Sequence, residues 1–251
     1  MNTKKDQNTN QCRLYTDLSW IWPIISPPEA YGSESQEFVD LIHQHSSREV
    51  KTLLHLGCGG GHHDHNLRDH FDITGIDINP AMVSLAAKLN PGVAYFEGDM
   101  RSLRTENRFD AVLMADSVNY MLSEDELSSA FTTAYECLAP GGVLVVCAEY
   151  TVEQFEGDTT RASNHARDNI EITYMENRYD PDPSDTTFEL TFVYLIRVAG
   201  HLQIETDRHL CGVFPRNTWE RLLQESGFVI QDLCFDPTGS WPIFTCTKPE
   251  S

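Results

Sequence analysis

The chain has 251 residues, with 18 Lys and Arg against 38 Asp and Glu, a formal net charge of −20. Hydrophobic residues make up 40%, charged 22% and aromatic 10%, which is a globular composition and excludes a disordered chain. A field of this sign repels polyphosphate, and no Lys/Arg-rich run offsets it, so nucleic acid and anionic membrane are excluded as first partners. The seven cysteines lie at 12, 58, 137, 147, 211, 234 and 246 with no CxxC pair, which reads as reduced thiols in a cytoplasmic protein.

Residues 1–11 read as a polar, disordered tail without the apolar stretch of a signal sequence. The segment 12–47 is aromatic and Pro-rich and forms a helical cap, its helix set at about 34–46 by Phe38, Leu41 and Ile42 at i, i+3, i+4. Strand and helix then alternate. Val50–Leu56 is a strand ending in Gly57-Cys58-Gly59-Gly60-Gly61, and Ile73–Asp77 a second. Asn79-Pro80 starts a helix. Strands follow at Val93–Phe96 and Asp110–Met114, then a capping box at Ser123–Glu126 opens a helix to about Leu138. Pro140-Gly141-Gly142 turns the chain into the apolar strand Val143–Ala148.

After Glu149 the period changes. Phe188, Leu190, Phe192, Tyr194 and Ile196 alternate with their neighbours, as in a half-buried antiparallel strand, with Ile170–Tyr174 and Leu202–Thr206 as partners. A helix at 217–226 and strands Val229–Phe235 and Ile243–Thr247 return to the main sheet. The expected fold is α/β: a doubly wound, Rossmann-like sheet of about seven strands, with an antiparallel β insertion at 151–210 as a lid over the active site. Residues 12–251 thus form one domain.

The glycine turn between strand and helix is where a doubly wound fold binds a cofactor, and Asp77 ends the second strand 20 positions after Gly57, placed to accept from ribose hydroxyls. A dinucleotide fingerprint needs glycine at 62, where His62 stands, which disfavours an NAD-dependent oxidoreductase.

These segments resemble the class I S-adenosylmethionine-dependent methyltransferases. LLHLGCGGG is similar to the family's first motif, GIDINPAM to its second, FEGDMR to its adenine-side motif, FDAVLMADSVNYM to its fourth strand and LAPGGVLVV to its fifth. The resemblance implies S-adenosylmethionine as cofactor, with S-adenosylhomocysteine as product. It puts Gly57, Cys58, Gly59 and Gly61 at the methionine portion, Asp77 at the ribose, Ile78 and Met82 beside the adenine and Asp99 and Met100 at its edge. Ala115 and Asp116 line the floor near the methyl group, and Tyr31 counts with the cofactor contacts. The family has an acidic residue where this chain has His55, which either fills the same hydrogen-bonding role or leaves it to water.

Within the family the chain is similar to small-molecule N-methyltransferases, in particular nucleotide-linked amino-sugar N,N-dimethyltransferases. The likeness lies in GDMR at 98–101, SVNYM at 117–121, DRHLCGVFPRNTWERLLQESGF at 207–228 and Pro237–Ser240. It implies methyl transfer to an amine nitrogen, with Tyr120, Asp116 and His209 as catalytic candidates and Tyr15, Trp20, Tyr150 and Trp241 shaping the acceptor pocket. A basic residue for sugar-nucleotide phosphates is absent near Ser240–Trp241, and the acidic field suits a neutral or cationic amine. O- or C-methylation and a non-catalytic cofactor-binding protein are the alternatives. No metal is expected: His62, His63, His65 and His70 read as solvent-facing, since only His62 and His65 share a helix face. The protein is expected to act as a monomer or homodimer.

Overall fold

The computed structural model describes residues 12–250; the expected tail at 1–11 lies outside the described residues. After 3-10 turns at Arg13–Tyr15 and Ser19–Ile21, α1 (Trp22–Ile25), a further turn at Pro28–Tyr31 and α2 (Gly32–His45) form the N-terminal cap. The core runs β1 (Thr52–Leu56), α3 (His62–Leu67), β2 (Asp72–Asp77), α4 (Pro80–Leu89), β3 (Ala94–Glu97), β4 (Phe109–Met114), a 3-10 turn at Ser117–Tyr120, α5 (Glu124–Cys137) and β5 (Leu138–Cys147). The insertion adds β6 (Thr159–Arg167), β7 (Ile170–Tyr179), β8 (Thr187–Val198) and β9 (His201–Gly212), and the chain closes with α6 (Arg216–Glu225), β10 (Val229–Phe235) and β11 (Pro242–Thr247).

Seven strands in the order β10-β11-β5-β4-β1-β2-β3 make the main sheet, with β11 antiparallel to both neighbours and the other pairings parallel. Its central strands bury both faces, so alternate residues serve two cores. Leu54, Leu56, Val112, Met114, Leu144 and Val146 pack against Phe131 of α5 and Trp219 of α6. Leu53, Leu113, Val143 and Val145 meet Phe38 and Ile42 of α2 and Leu67 of α3. Ser123 accepts from the Glu126 amide as a cap, but Glu126 reaches the amide of Leu122, one position before that of a capping box. Asn79 stands at the N-cap of α4 without a side-chain cap bond, the Pro80 ring itself setting the first helical φ.

The insertion is a four-stranded meander, β6-β7-β8-β9. The strand β6 has no counterpart among the expected elements: TTRASNHAR lies on an edge, is mostly exposed and carries no apolar alternation. Phe188, Leu190, Phe192, Tyr194 and Ile196 form the buried face of β8, packed on Leu14, Leu18 and Ile21 of the cap. The meander therefore backs the N-terminal segment and presses it onto the main sheet. Among the described residues no helix is long and apolar enough to cross a membrane.

Candidate active site

At the carboxyl ends of β1, β2 and β4 lies a cleft enclosing about 1130 Å³ of empty space, open to solvent. This is the crevice where open α/β sheets take their ligands. The turn after β1 forms one wall. The amides of Gly57 and Cys58 both donate to the Ile76 carbonyl, at 2.7 and 2.9 Å, which folds the turn over β2. Gly59 has φ +52°, and a Cβ there would meet nothing within 4 Å, so its backbone stands bare to the cleft. Asp77 fixes that backbone: one carboxylate oxygen accepts from the Gly59 amide at 2.9 Å and the other from the Asn79 amide at 2.8 Å. Each oxygen keeps a lone pair free. Burial raises the Asp77 carboxyl above the usual range, while those two amides and His55 pull it down.

Ile78, 54% exposed, and Met82 and Met100, both buried, give the neighbouring wall an apolar slot for a flat ring. Asp99 lines the same wall, but its carboxylate is committed to the backbone and guanidinium of Arg101, which also reaches Glu126 at 2.6 Å. Gly61 is not on the cleft. Its φ is +73° and a Cβ would lie 2.7 Å from Asn90 Nδ2 and 2.9 Å from Tyr95 Oη, so it is a packing glycine rather than a contact for the methionine portion.

A buried network beneath the turn explains His55. Its Nδ1 donates to Asp64 at 2.7 Å; the other Asp64 oxygen accepts from Tyr95 at 2.9 Å; and Asn90 donates to Tyr95 Oη and to the Gly61 carbonyl. His55 and Asp64 are 1% and 0% exposed. His55 thus lines the cleft backed by a carboxylate from α3, nine positions on, and Asp64 itself stays off the cleft. Sequence reasoning overlooked Asp64; its place on the first turn of the helix facing the end of β1 was the available sign.

The histidines of α3 need correction. His62 and His63 are buried, not solvent-facing, because the cap folds over them; His65 is half-buried and His70 exposed. Trp22 Nε1 donates to His62 Nδ1 at 2.5 Å, and burial lowers His62 to about 4. His63 bonds Ser35 through Nδ1 at 3.1 Å.

The opposite wall holds the acceptor candidates. Ala115 and Asp116 follow β4, and Asp116 has φ 41° and ψ −56° at the centre of a tight turn closed by the Ser117 amide on the Ala115 carbonyl. A non-glycine residue in that region is strained, and such strain gathers at functional sites. Tyr15 and Tyr120 line the cleft with their hydroxyls 2.8 Å apart. Behind them the chain of bonds continues: Tyr120 Oη lies 2.6 Å from His209 Nδ1, and His209 Nε2 lies 2.7 Å from Asp207. His209 is fully buried and does not touch the cleft; it reaches it through Tyr120. Burial raises Asp207, but the bond and charge of His209 and two backbone amides hold it below its usual value. Burial pushes both tyrosines well above theirs, so they remain phenols. Sequence reasoning missed Asp207, whose pairing with His209 at i, i+2 on β9 appears only once the strand is placed.

Three acceptor candidates stand away from the cleft. Trp20 is 42% exposed, because its 3-10 turn buries Ile21 instead. Tyr150 is buried between Phe155 and Phe188, under Arg178. Trp241 packs on the α2 side of the sheet beyond the turn held by Asp236. Nor does any residue of the insertion line the cleft: Cys12, Tyr15, Trp22 and Tyr31 of the cap do so in its place.

These features agree with comparisons to known proteins. Residues 53–142 match a family described as a methyltransferase domain. The chain is 28% identical over 211 residues to a dTDP-3-amino-3,4,6-trideoxy-alpha-D-glucopyranose N,N-dimethyltransferase of Streptomyces venezuelae, covering 83% of this chain and 88% of that one. A dTDP-3-amino-3,6-dideoxy-alpha-D-glucopyranose N,N-dimethyltransferase of Streptomyces fradiae is 27% identical over 227 residues, covering 83% and 82%. Among solved structures, Streptomyces venezuelae DesVI superimposes with a TM-score of 0.81 at 25% identity, over 93% of this chain and 96% of that one. The S-adenosylmethionine-bound amino pentose methyltransferase of Micromonospora echinaspora has the same fold, at 0.77 and 24% identity, over 87% and 91%. Residues 53–142 thus carry a methyltransferase domain, and the chain as a whole has the fold of S-adenosylmethionine-dependent methyltransferases.

Proposed function

We propose that the protein methylates the nitrogen of a small-molecule amine, with the acceptor seated against Tyr15, Tyr120 and Asp116. The observation that carries this reading is the hydrogen-bonded line Tyr15–Tyr120–His209–Asp207, which starts on the cleft and ends in the buried interior. Open Gly59, the lone pairs of Asp77 and the Ile78–Met82 slot fit the methionine, ribose and adenine parts of the cofactor. When bound, S-adenosylmethionine supplies a methyl group on a sulfonium, a leaving group that needs no activation. The protein's own work is alignment and proton removal.

Asp207 is acceptor-only, so His209 donates from Nε2 and keeps a lone pair on Nδ1. Tyr120 donates to that lone pair and accepts from Tyr15, which leaves the Tyr15 oxygen able to accept from an amine N–H. Methyl transfer from the bound sulfonium to the acceptor nitrogen would leave that nitrogen with one proton to lose. The nitrogen's surplus proton passes to Tyr15, the Tyr15 proton to Tyr120, and the Tyr120 proton to His209, whose positive charge Asp207 stabilises. Both phenols end neutral.

An oxygen acceptor is the second reading, favoured by the same line, because a hydroxyl needs a base more than an amine does. Cysteines that form no disulfide among the described residues support a reducing, cytoplasmic setting. Formation of S-adenosylhomocysteine across a panel of amines and phenols tests the proposal. Turnover of amines is expected; turnover of phenols alone would transfer the assignment to oxygen.

A further inference from the structure

Beside Asp116 lies a group of acidic and thiol side chains that the proton line does not use. Glu34 of α2, Asp116 after β4 and Cys147 at the end of β5 bring ligand atoms within 4.8 Å of one another. The Cys147 thiol lies 3.9 Å from Glu34. His63 closes the group: its Nε2 stands 3.7 Å from a Glu34 oxygen and 3.8 Å from an Asp116 oxygen, beyond hydrogen-bond reach of either. That nitrogen is buried without a partner, on a side chain 5% exposed, and Asp116 Oδ1 is likewise buried and unpaired. Glu149 stands close behind; burial and then Asp116 push its carboxyl up to about 8, as they push Glu34 to about 7.

No Lys or Arg forms an ion pair with Glu34 or Asp116 among the described residues. Among the described residues the one Lys or Arg on the cleft lining is Arg101, already held by Asp99 and Glu126. Against the effect of its burial, Asp116 and Glu34 raise His63, so two carboxylates share one imidazolium as counterion, and unpaired polar atoms aimed at one point ask for a ligand. Carboxylate oxygens within 4.8 Å of each other can both accept from one ammonium nitrogen at about 2.8 Å. A tetrahedral zinc ion, with ligands about 2.0–2.3 Å away, would hold them roughly 3.3–3.8 Å apart, so zinc is the rival occupant that the test has to separate.

We propose that the acceptor carries a second, cationic nitrogen, seated between the Glu34 and Asp116 carboxylates, and no phosphate. The proposal rests on the methyltransferase reading and narrows it to diamine-like acceptors. The nucleophilic nitrogen then faces Tyr15 while the second holds the molecule by charge. The relatives with nucleotide-sugar names point to a phosphorylated acceptor, for which this cleft offers no free cation among the described residues.

Calorimetric titration of the full chain saturated with S-adenosylhomocysteine tests this, with putrescine, butylamine, dTDP and zinc as probes. Putrescine should bind about tenfold or more tighter than butylamine, the scale of charge-assisted hydrogen bonds. Glu34→Gln should abolish that preference and leave affinity for S-adenosylhomocysteine unchanged; Asp116→Asn should abolish it too. Equal affinity for the two amines, including no detectable binding of either at millimolar concentration, overturns the proposal. So does tighter binding of dTDP than of putrescine, or zinc binding that Glu34→Gln removes. A Glu34→Gln variant with weakened S-adenosylhomocysteine binding also overturns it, by assigning the group to the cofactor's own ammonium. Failure of the wild-type protein to bind S-adenosylhomocysteine is a separate outcome, and it would overturn the methyltransferase reading itself.

Discussion

The hydroxyl of Tyr120 lies 2.6 Å from Nδ1 of His209, across 89 positions of sequence. The bond ties the turn after β4 to the last strand of the insertion, and so joins the cleft to a buried imidazole–carboxylate pair. Tyr120→Phe keeps the ring and removes the link. Amine turnover should fall by about 10²-fold or less near neutral pH, at the low end of general-base effects, since an amine also loses its proton to solvent. The deficit should narrow above pH 9, and affinity for S-adenosylhomocysteine should not change. Rate–pH profiles with parallel calorimetry check this.

Restoring the acid that the family carries at position 55 should damage this chain. His55→Asp would set two carboxylates against each other at a site where both residues are essentially unexposed. Breaking a buried pair costs about 3–5 kcal/mol, or roughly 10 °C in Tm for a chain of this size. Adding Asp64→Asn to the variant should recover part of the loss. Thermal denaturation of the two variants and the wild type is the measurement.

Asp77 holds the glycine turn with both oxygens and presents its remaining lone pairs to the cleft. Asp77→Ala should weaken S-adenosylmethionine and S-adenosylhomocysteine alike by about 1.5–3 kcal/mol, a factor of about 10 to 150. Calorimetric affinities that match the wild type would show that the ribose lies elsewhere.

Glu149 is raised to about 8 and Glu34 to about 7 by burial first and by Asp116 second. Their folded values exceed the unfolded ones, so the folded state holds the extra protons. Their stabilising contribution is complete below about 4.5 and is lost as pH rises through 7 and 8. His62, lowered to about 4, titrates below that window. The unliganded protein should therefore lose several degrees of Tm between pH 6 and 9, and Glu149→Gln should lose less. A scan of Tm against pH for both proteins decides it.

Much of the core was legible because its signals are local. Leu53 to Leu56 is apolar except for His55, while Val112 to Met114 and Val143 to Val146 are unbroken apolar runs, and only a sheet covered on both faces buries such runs completely. The left-handed glycines and Asp77 lie within 21 positions of each other, so their geometry is set by one strand–turn–helix–strand unit. The edge strand β6 was not legible, since an exposed strand has no apolar period to read.

The acceptor side was different. Tyr15, Glu34, His63, Asp116, Tyr120, Glu149, Asp207 and His209 come from the cap, the main sheet and the insertion. Their roles depend on which of them meet. Sequence alone fixed a class I cofactor fold, an acidic field and the identity of the cofactor-side turn. Tertiary structure decided that His55 takes its carboxylate from Asp64 and that His62 and His63 are buried. It also decided that the cap rather than the insertion lines the cleft, and that Trp20, Tyr150 and Trp241 stand apart from it. The physical reason is range: backbone preference and hydrophobic period act over a few residues, whereas a buried hydrogen-bond line or a cluster of like charges exists only where separate elements converge.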